Sequence, residues 1–325
     1  EFGSARDGRV KEGLLNGGPL SLKFGSAHPG VARVGLVGTA DAVAGTRRFL
    51  ERMRGAVPTG LAPSLLNLPF PGFSAVFQTD LALEPRWAKE VSNDAFDAAM
   101  SKPPIESFDI CVRLWADAVH ELAERDTPPD AVLCCLPQEL LDHCRSIEKR
   151  ATPKDRSRRR RPSKPQAFVQ PSLFDAQPRD SIEDASTSSD EDLLFRDFRR
   201  ALKAAAMEVG TPVPIQLVTP SLFEDGKKRQ QDPATRSWNL GVGLFYKVGG
   251  IPWRLVTEVD HTCFVGVSFH HLRTTKRHLV YSSLAQAFSS EGDGFALRGE
   301  AVPYDSETRS VHLYAAQTSR LLSQV

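Results

Sequence analysis

The chain has 325 residues, 41% hydrophobic and 25% charged, with a formal net charge of +1. That composition fits one or two ordinary globular cores; it argues against a globally basic nucleic-acid coat, and no apolar run approaches the roughly 20 residues that span a bilayer. The leading residues, Glu1 to Lys11, are polar rather than signal-like, and the odd, scattered set Cys111, Cys134, Cys135, Cys144 and Cys263 suits a reducing compartment, so a cytoplasmic protein is expected.

In chain order, VARVGLVG at Val31 to Gly38 reads as a buried strand, and Ala40 to Arg54 follows with helical spacing at Val43, Phe49, Leu50 and Met53. A Pro-rich loop surrounds Leu61 to Gly72. A second helix is expected from about Ile105 to Arg125, then a second apolar strand over Asp130 to Leu136, ended by Pro137 and followed by a helix from near Gln138. This alternation predicts a parallel, Rossmann-like sheet for the first half.

Between Ala151 and Asp192 the composition changes. Seven Lys and Arg residues fall from Lys154 to Lys164, six acidic residues fall from Asp180 to Asp192, and Pro and Ser fill much of the rest. Such a block buries too little apolar surface to offset its ordering entropy and reads as a disordered, charged insertion. A helix is expected to resume over Leu193 to Glu208, capped from Ser189 and the acidic Asp190, Glu191 and Asp192, with Leu194, Phe198, Leu202 and Ala205 as its buried stripe. Arg196, Arg199 and Lys203 share another face. From Ile215 the pattern is read as strand-rich: IQLVTP, NLGVGLFYKVGG, CFVGVSFHHL, HLVYSSLAQAF and GFALRG, before a helix from about Glu307 to Val325.

Several constellations could carry chemistry. Cys134, Cys135, His143 and Cys144 have metal-capable atoms, but adjacent residues of a strand point to opposite faces, so core thiols are the better reading. His270 and His271 follow Ser268 too closely for the geometry of a hydrolytic triad. GLVGT at Gly35 to Thr39 lacks the Gly-Lys-Ser/Thr ending of a phosphate loop.

GLFYKVGGIPWRL at Gly243 to Leu255 and SSLAQAFSSEGDGFALRG at Ser282 to Gly299 resemble the opening of the PIWI domain of short prokaryotic Argonautes. EFGSARDGRVKEGLLNGGPL at Glu1 to Leu20, HPGVARVGLVGT at His28 to Thr39 and FPGF at Phe70 to Phe73 are similar to the segments that lead into and begin the family's MID domain. The resemblance spans nearly the whole chain apart from the insertion. It implies a leading segment over 1–30, a Rossmann-like MID domain over 31–218 with the insertion at about 151–192, and the N-terminal part of an incomplete RNase H-like PIWI domain over 219–325. On that reading the chain is a piece of a longer protein.

The family anchors the 5′-phosphate of a guide strand with a basic or aromatic residue, a Lys one helical turn later, a Gln and a second Lys. FRRALK puts Arg199 and Lys203 at the first two positions, PIQLV puts Gln216 at the third and LFYKVGG puts Lys247 at the fourth. Arg199 departs from the usual Tyr or His, although a planar guanidinium pairs well with a phosphate dianion. A Mg²⁺ ion at the 5′-phosphate is a further expectation. Catalytic members carry Asp in a Gly-x-Asp strand, the first of the carboxylates that hold two metal ions; here the strand reads Gly266, Val267, Ser268. Glu300 matches the second carboxylate only weakly.

The resemblance thus implies guide binding, RNA or DNA, and recognition of a complementary target in prokaryotic defence against invading DNA, without cleavage. A companion protein carrying a TIR-like or Sir2-like NAD-degrading module is the expected partner. The alternative is an RNase H-like nuclease whose other carboxylates lie beyond Val325, and Ser268 disfavours it.

Overall fold

The computed structural model describes residues 1–60, 62, 64, 67–148, 195–208, 213–226, 230–256, 263–273, 278–288, 294–297, 301–302 and 313–323. The charged insertion lies outside them, as does Glu300.

After α1 (Val10–Gly17), strand β1 (Val31–Gly38) leads into α2 (Ala40–Met53), where the sequence spacing anticipates them. The short α3 (Phe73–Phe77), β2 (Asp80–Ala82), β3 (Ala88–Glu90) and α4 (Asn93–Met100) precede the long α5 (Pro104–Ala123), β4 (Ala131–Cys135) and α6 (Gln138–Cys144). A two-stranded antiparallel ribbon, β5 (Ser146–Glu148) with β6 (Phe195–Asp197), is followed by α7 (Phe198–Ala205), β7 (Ile215–Val218) and α8 (Pro233–Lys247).

Five of these strands form one parallel sheet. The central β1 pairs through Val31 to Arg33 with β2 and through Leu36 to Gly38 with β3 on one side, and with Ala131 to Cys135 of β4 on the other. Beyond β4 lies β7, with Val132 opposite Ile215 and Cys135 opposite Val218, so β7 forms the sheet's border among the described residues. Parallel neighbours need helical crossovers, and these cover both faces. Leu133 and Cys135 sit in one core with Leu50 of α2 and with Trp238, Leu244 and Phe245 of α8, while Val132 and Cys134 sit in the other with Trp115 of α5 and with Phe198 and Leu202 of α7. The adjacent thiols Cys134 and Cys135 therefore point to opposite faces, as strand alternation requires, and burial pushes both pKa values up, Cys135 to about 12.

Two polar devices fix the centre of the sheet. Asp130, just before β4, accepts from the Arg33 backbone N–H at 2.8 Å and pairs with the Arg33 guanidinium at 2.5 Å, locking the register of β4 on β1. At the other end, Gly38 approaches β4 so closely that a Cβ there would lie 2.2 Å from the Cys135 carbonyl oxygen.

The remaining strands form an antiparallel sheet. In it β8 (Phe264–Arg273) pairs with β9 (His278–Phe288), with a register shift between Ser268 and Phe269, and β10 (Gly294–Leu297) and β11 (Ala301–Val302) pair with the other side of β9. The last helix, α9, spans Ala315–Leu322, inside the expected range. The whole is α/β, with its parallel and antiparallel strands segregated.

Two expectations are corrected. NLGVGLFYKVGG is helix through Lys247, not strand. The Asp232 carboxylate accepts from the backbone N–H groups of Ala234 and Thr235, and Pro233 fills the first turn. Its buried residues Ala234, Trp238, Gly241, Leu244 and Phe245 then recur at helical spacing. Gly241 lets this helix approach α3, since a Cβ would sit 3.1 Å from the Phe77 ring. The helix expected from Leu193 begins only at Phe198, because Phe195–Asp197 pair with Ser146–Glu148 and the Asp197 carboxylate caps the helix at the Arg200 N–H, 3.0 Å away. Arg196 is thus a strand residue and does not share a helical face with Arg199 and Lys203. The proposed caps Ser189 to Asp192 lie outside the described residues.

Candidate functional site

Phe198 and Leu202 bury one face of α7 against α5, which leaves Arg199 exposed and Lys203 half-buried on its other side. Spaced by one helical turn, the two side chains project together. Lys247 closes the last turn of α8, where the burial of Leu244 and Phe245 holds it half-buried.

Although α7 and α8 pack on opposite faces of the sheet, their cations converge. Burial lowers the pKa of Lys247, and the charges of Lys203 and Arg199 lower it further. Among the described residues, none of the three is paired with a carboxylate, in contrast to Arg33, Lys89 and Arg236, which all are. Like charges gathered without counter-charge are costly in an empty protein and favourable around an anion. A phosphate monoester carrying close to two negative charges would relieve this repulsion.

Gln216 lies half-buried on β7, and its Nε2 donates to the Leu217 carbonyl at 3.2 Å, leaving the amide oxygen available. It lines a groove of about 600 Å³ that runs between β7 and α8 and includes Gly243, one turn before Lys247. The structure therefore brings Arg199, Lys203 and Lys247 within electrostatic reach of one another and sets Gln216 in the adjoining groove. Ser268 is exposed on β8, in the antiparallel sheet.

Of the other sequence candidates, His143 Nε2 contacts the Lys102 carbonyl at 3.2 Å and Cys144 is buried next to Cys111, where each thiol shifts the pKa of the other. Trp253 packs as a half-buried ring against the first core.

One residue of this region escaped the sequence reading. Arg236, in the first turn of α8, is buried; its Nη1 donates to the carbonyls of Ser221, Leu222 and Glu224, and its Nη2 pairs with Asp225. It staples the turn after β7 to α8 and fixes one wall of the groove. An arginine early in a helix carries no sequence signal for this role, because its partners are backbone carbonyls.

No family model matches the chain, and neither does any curated protein.

Proposed function

We propose that this chain binds the 5′-phosphorylated end of a guide nucleic acid and presents the strand for pairing with a target, as the MID domain and the start of the PIWI domain of a short Argonaute-like protein. The observation that carries the reading is the convergence of Arg199, Lys203 and Lys247, without a carboxylate partner among the described residues. These are the cationic positions that the resemblance assigns to phosphate anchoring, and they come from two different helices. Gln216 adds an uncharged hydrogen-bonding group from the strand between those helices.

The residues fit a phosphate better than a phosphate with Mg²⁺. Magnesium takes oxygen ligands, usually carboxylates and phosphates, and of the four residues only Gln216 offers one. Three cations already outweigh a dianion, so the side chains themselves supply the charge balance.

On this reading the parallel sheet belongs to the MID domain and the antiparallel sheet to PIWI. Ser268 at the first carboxylate position makes the module a recognition element rather than a nuclease, since a hydroxyl brings no negative charge to a metal pair. Destruction of the recognised invader then falls to a companion effector protein, for which a TIR-like or Sir2-like NAD-degrading module is the candidate.

The test is binding of sequence-matched oligonucleotides with 5′-phosphate and 5′-hydroxyl ends, with and without EDTA. Wild type is expected to prefer the phosphate in both conditions. Lys203→Ala and Lys247→Ala should each remove a charge-assisted bond worth about 1.5–3 kcal/mol, roughly ten- to hundredfold in affinity, for the phosphorylated end alone. No preference in wild type, or an unchanged preference in both variants, overturns the assignment.

A further inference from the structure

We propose that Cys111 and Cys144, with Met100 beside them, form a binding site for one soft, thiophilic cation, and that this cation is Cu(I). The inference is independent of the phosphate site and of the groove next to it.

Three helices supply the donors. Met100 is the last residue of α4, Cys111 lies in the first half of α5 and Cys144 is the last residue of α6. Ser107 stands one turn before Cys111 on the same face of α5, and Ser107, Cys111 and Cys144 are all buried. The two thiols interact directly with each other and with the Ser107 hydroxyl, which also donates to Met100 Sδ at 3.7 Å. Three sulphur atoms are thus gathered around one buried hydroxyl. Cys134 and Cys135, adjacent on β4, point to opposite faces and cannot share an ion in this way.

The donor set selects the metal. Thiolate and thioether sulphur favour Cu(I), whereas Zn(II) in a closed site takes four ligands and Mg²⁺ and Ca²⁺ take oxygen. Among the described residues, no His, Asp or Glu joins the two cysteines to make a group of three. The ring of His143, next to Cys144 in the chain, is held instead by the Lys102 carbonyl at 3.2 Å. On binding, two S–H bonds break and two S–Cu bonds form; both protons leave to solvent, no electron is transferred, and the bound unit carries one net negative charge. Ser107 answers that charge, because its hydroxyl can turn from Met100 Sδ to a thiolate, and the freed thioether lone pair then completes a three-coordinate site. Arg145, one residue past Cys144, accepts through its carbonyl from the Phe198 N–H at 3.0 Å where α7 begins. The ion would therefore tie α4, α5 and α6 together at the point from which α7 starts.

The test uses the full chain carrying Cys263→Ser, which removes the one exposed cysteine among the described residues, under anaerobic, reducing conditions. Cu(I) is the probe and bicinchoninate the competing chelator. One equivalent of Cu(I) is expected to stay on the protein, with a thiolate-to-copper absorption band in the near ultraviolet, and added Zn(II) should not displace it. Cys111→Ala and Cys144→Ala should each surrender the ion to the chelator. Met100→Leu, which conserves volume, should hold it more weakly, and His143→Ala should hold it as the parent chain does. X-ray absorption of the loaded chain, which needs no variant to fold, should show copper bound by sulphur alone. Complete loss of Cu(I) to the chelator, retention in a folded Cys111→Ala or Cys144→Ala chain, undiminished retention in Met100→Leu, displacement by Zn(II), or nitrogen or oxygen bound to the copper each overturn the proposal.

Discussion

Lys203 of α7 lies close enough to Lys247 of α8 for its charge to lower the Lys247 pKa, although the two helices pack on opposite faces of the parallel sheet. An anion bound there, as proposed, would relieve the repulsion that lowers it. Stability and binding should therefore respond in opposite directions when the repulsion is removed.

Lys247→Met keeps the apolar stem and deletes the charge. The ligand-free variant is expected to melt at a higher temperature than wild type at neutral pH, while losing its preference for a 5′-phosphate. Thermal unfolding with and without a 5′-phosphorylated oligonucleotide checks both; a lower melting temperature in the absence of ligand would show that Lys247 is a net stabiliser of the fold.

The pH dependence follows from the same shift. Lys247 has a lower pKa folded than unfolded, so between the two values the unfolded chain binds more protons and this group's contribution to stability rises with pH. On the proposed function, a bound phosphate would raise the Lys247 pKa again, so binding would take up protons in that window and phosphate preference is expected to fall as pH climbs through it. Titrating affinity on the alkaline side should show the decline in wild type and a flatter profile in Lys247→Met.

Arg236→Met leaves the carbonyls of Ser221, Leu222 and Glu224 without their buried donor and frees Asp225. The loss is expected to be about 1–3 kcal/mol, because Gln230 Nε2 still donates to the Ser221 and Glu224 carbonyls while the Leu222 carbonyl and Asp225 lose the guanidinium. Urea unfolding measures it, and a change below about 0.5 kcal/mol, typical of surface substitutions, would mean that the staple is not needed to hold the turn.

Gly38→Ala places a Cβ against the Cys135 carbonyl at 2.2 Å, where β1 and β4 run side by side. Both strands are central, so the clash cannot be relieved by moving a flexible side chain. A destabilisation of about 1–3 kcal/mol, as for overpacked cores, is expected in the same unfolding assay.

On the proposed function, protein loaded with a guide and incubated with a labelled complementary strand and Mg²⁺ or Mn²⁺ is expected to leave the target intact, because Ser268 stands where the resemblance places a metal-binding carboxylate. A cut opposite the guide would refute this.

The strands and helices around β1 and β4 were legible because each apolar period is local: VARVGLVG and AVLCC are long enough, and bounded clearly enough, to be read alone. The sequence was misread where a local pattern is ambiguous. NLGVGLFYKVGG supports either period, and the choice was made by Asp232 and Pro233, a helix-start signal just upstream, together with the fit of Trp238 and Phe245 into the core. Phe195–Asp197 became strand because Ser146–Glu148, distant in sequence, offered a partner.

The sequence by itself singled out the residues proposed to serve a phosphate: the one-turn spacing of Arg199 and Lys203 follows from helical geometry, and the resemblance supplied Gln216 and Lys247. Only the tertiary structure decided that charges from α7 and α8 meet, that Arg236 is a buried staple rather than a free cation, and that a groove runs between β7 and α8. Those facts depend on how helices on opposite faces extend past the border of one sheet, which is not encoded in any short stretch of chain.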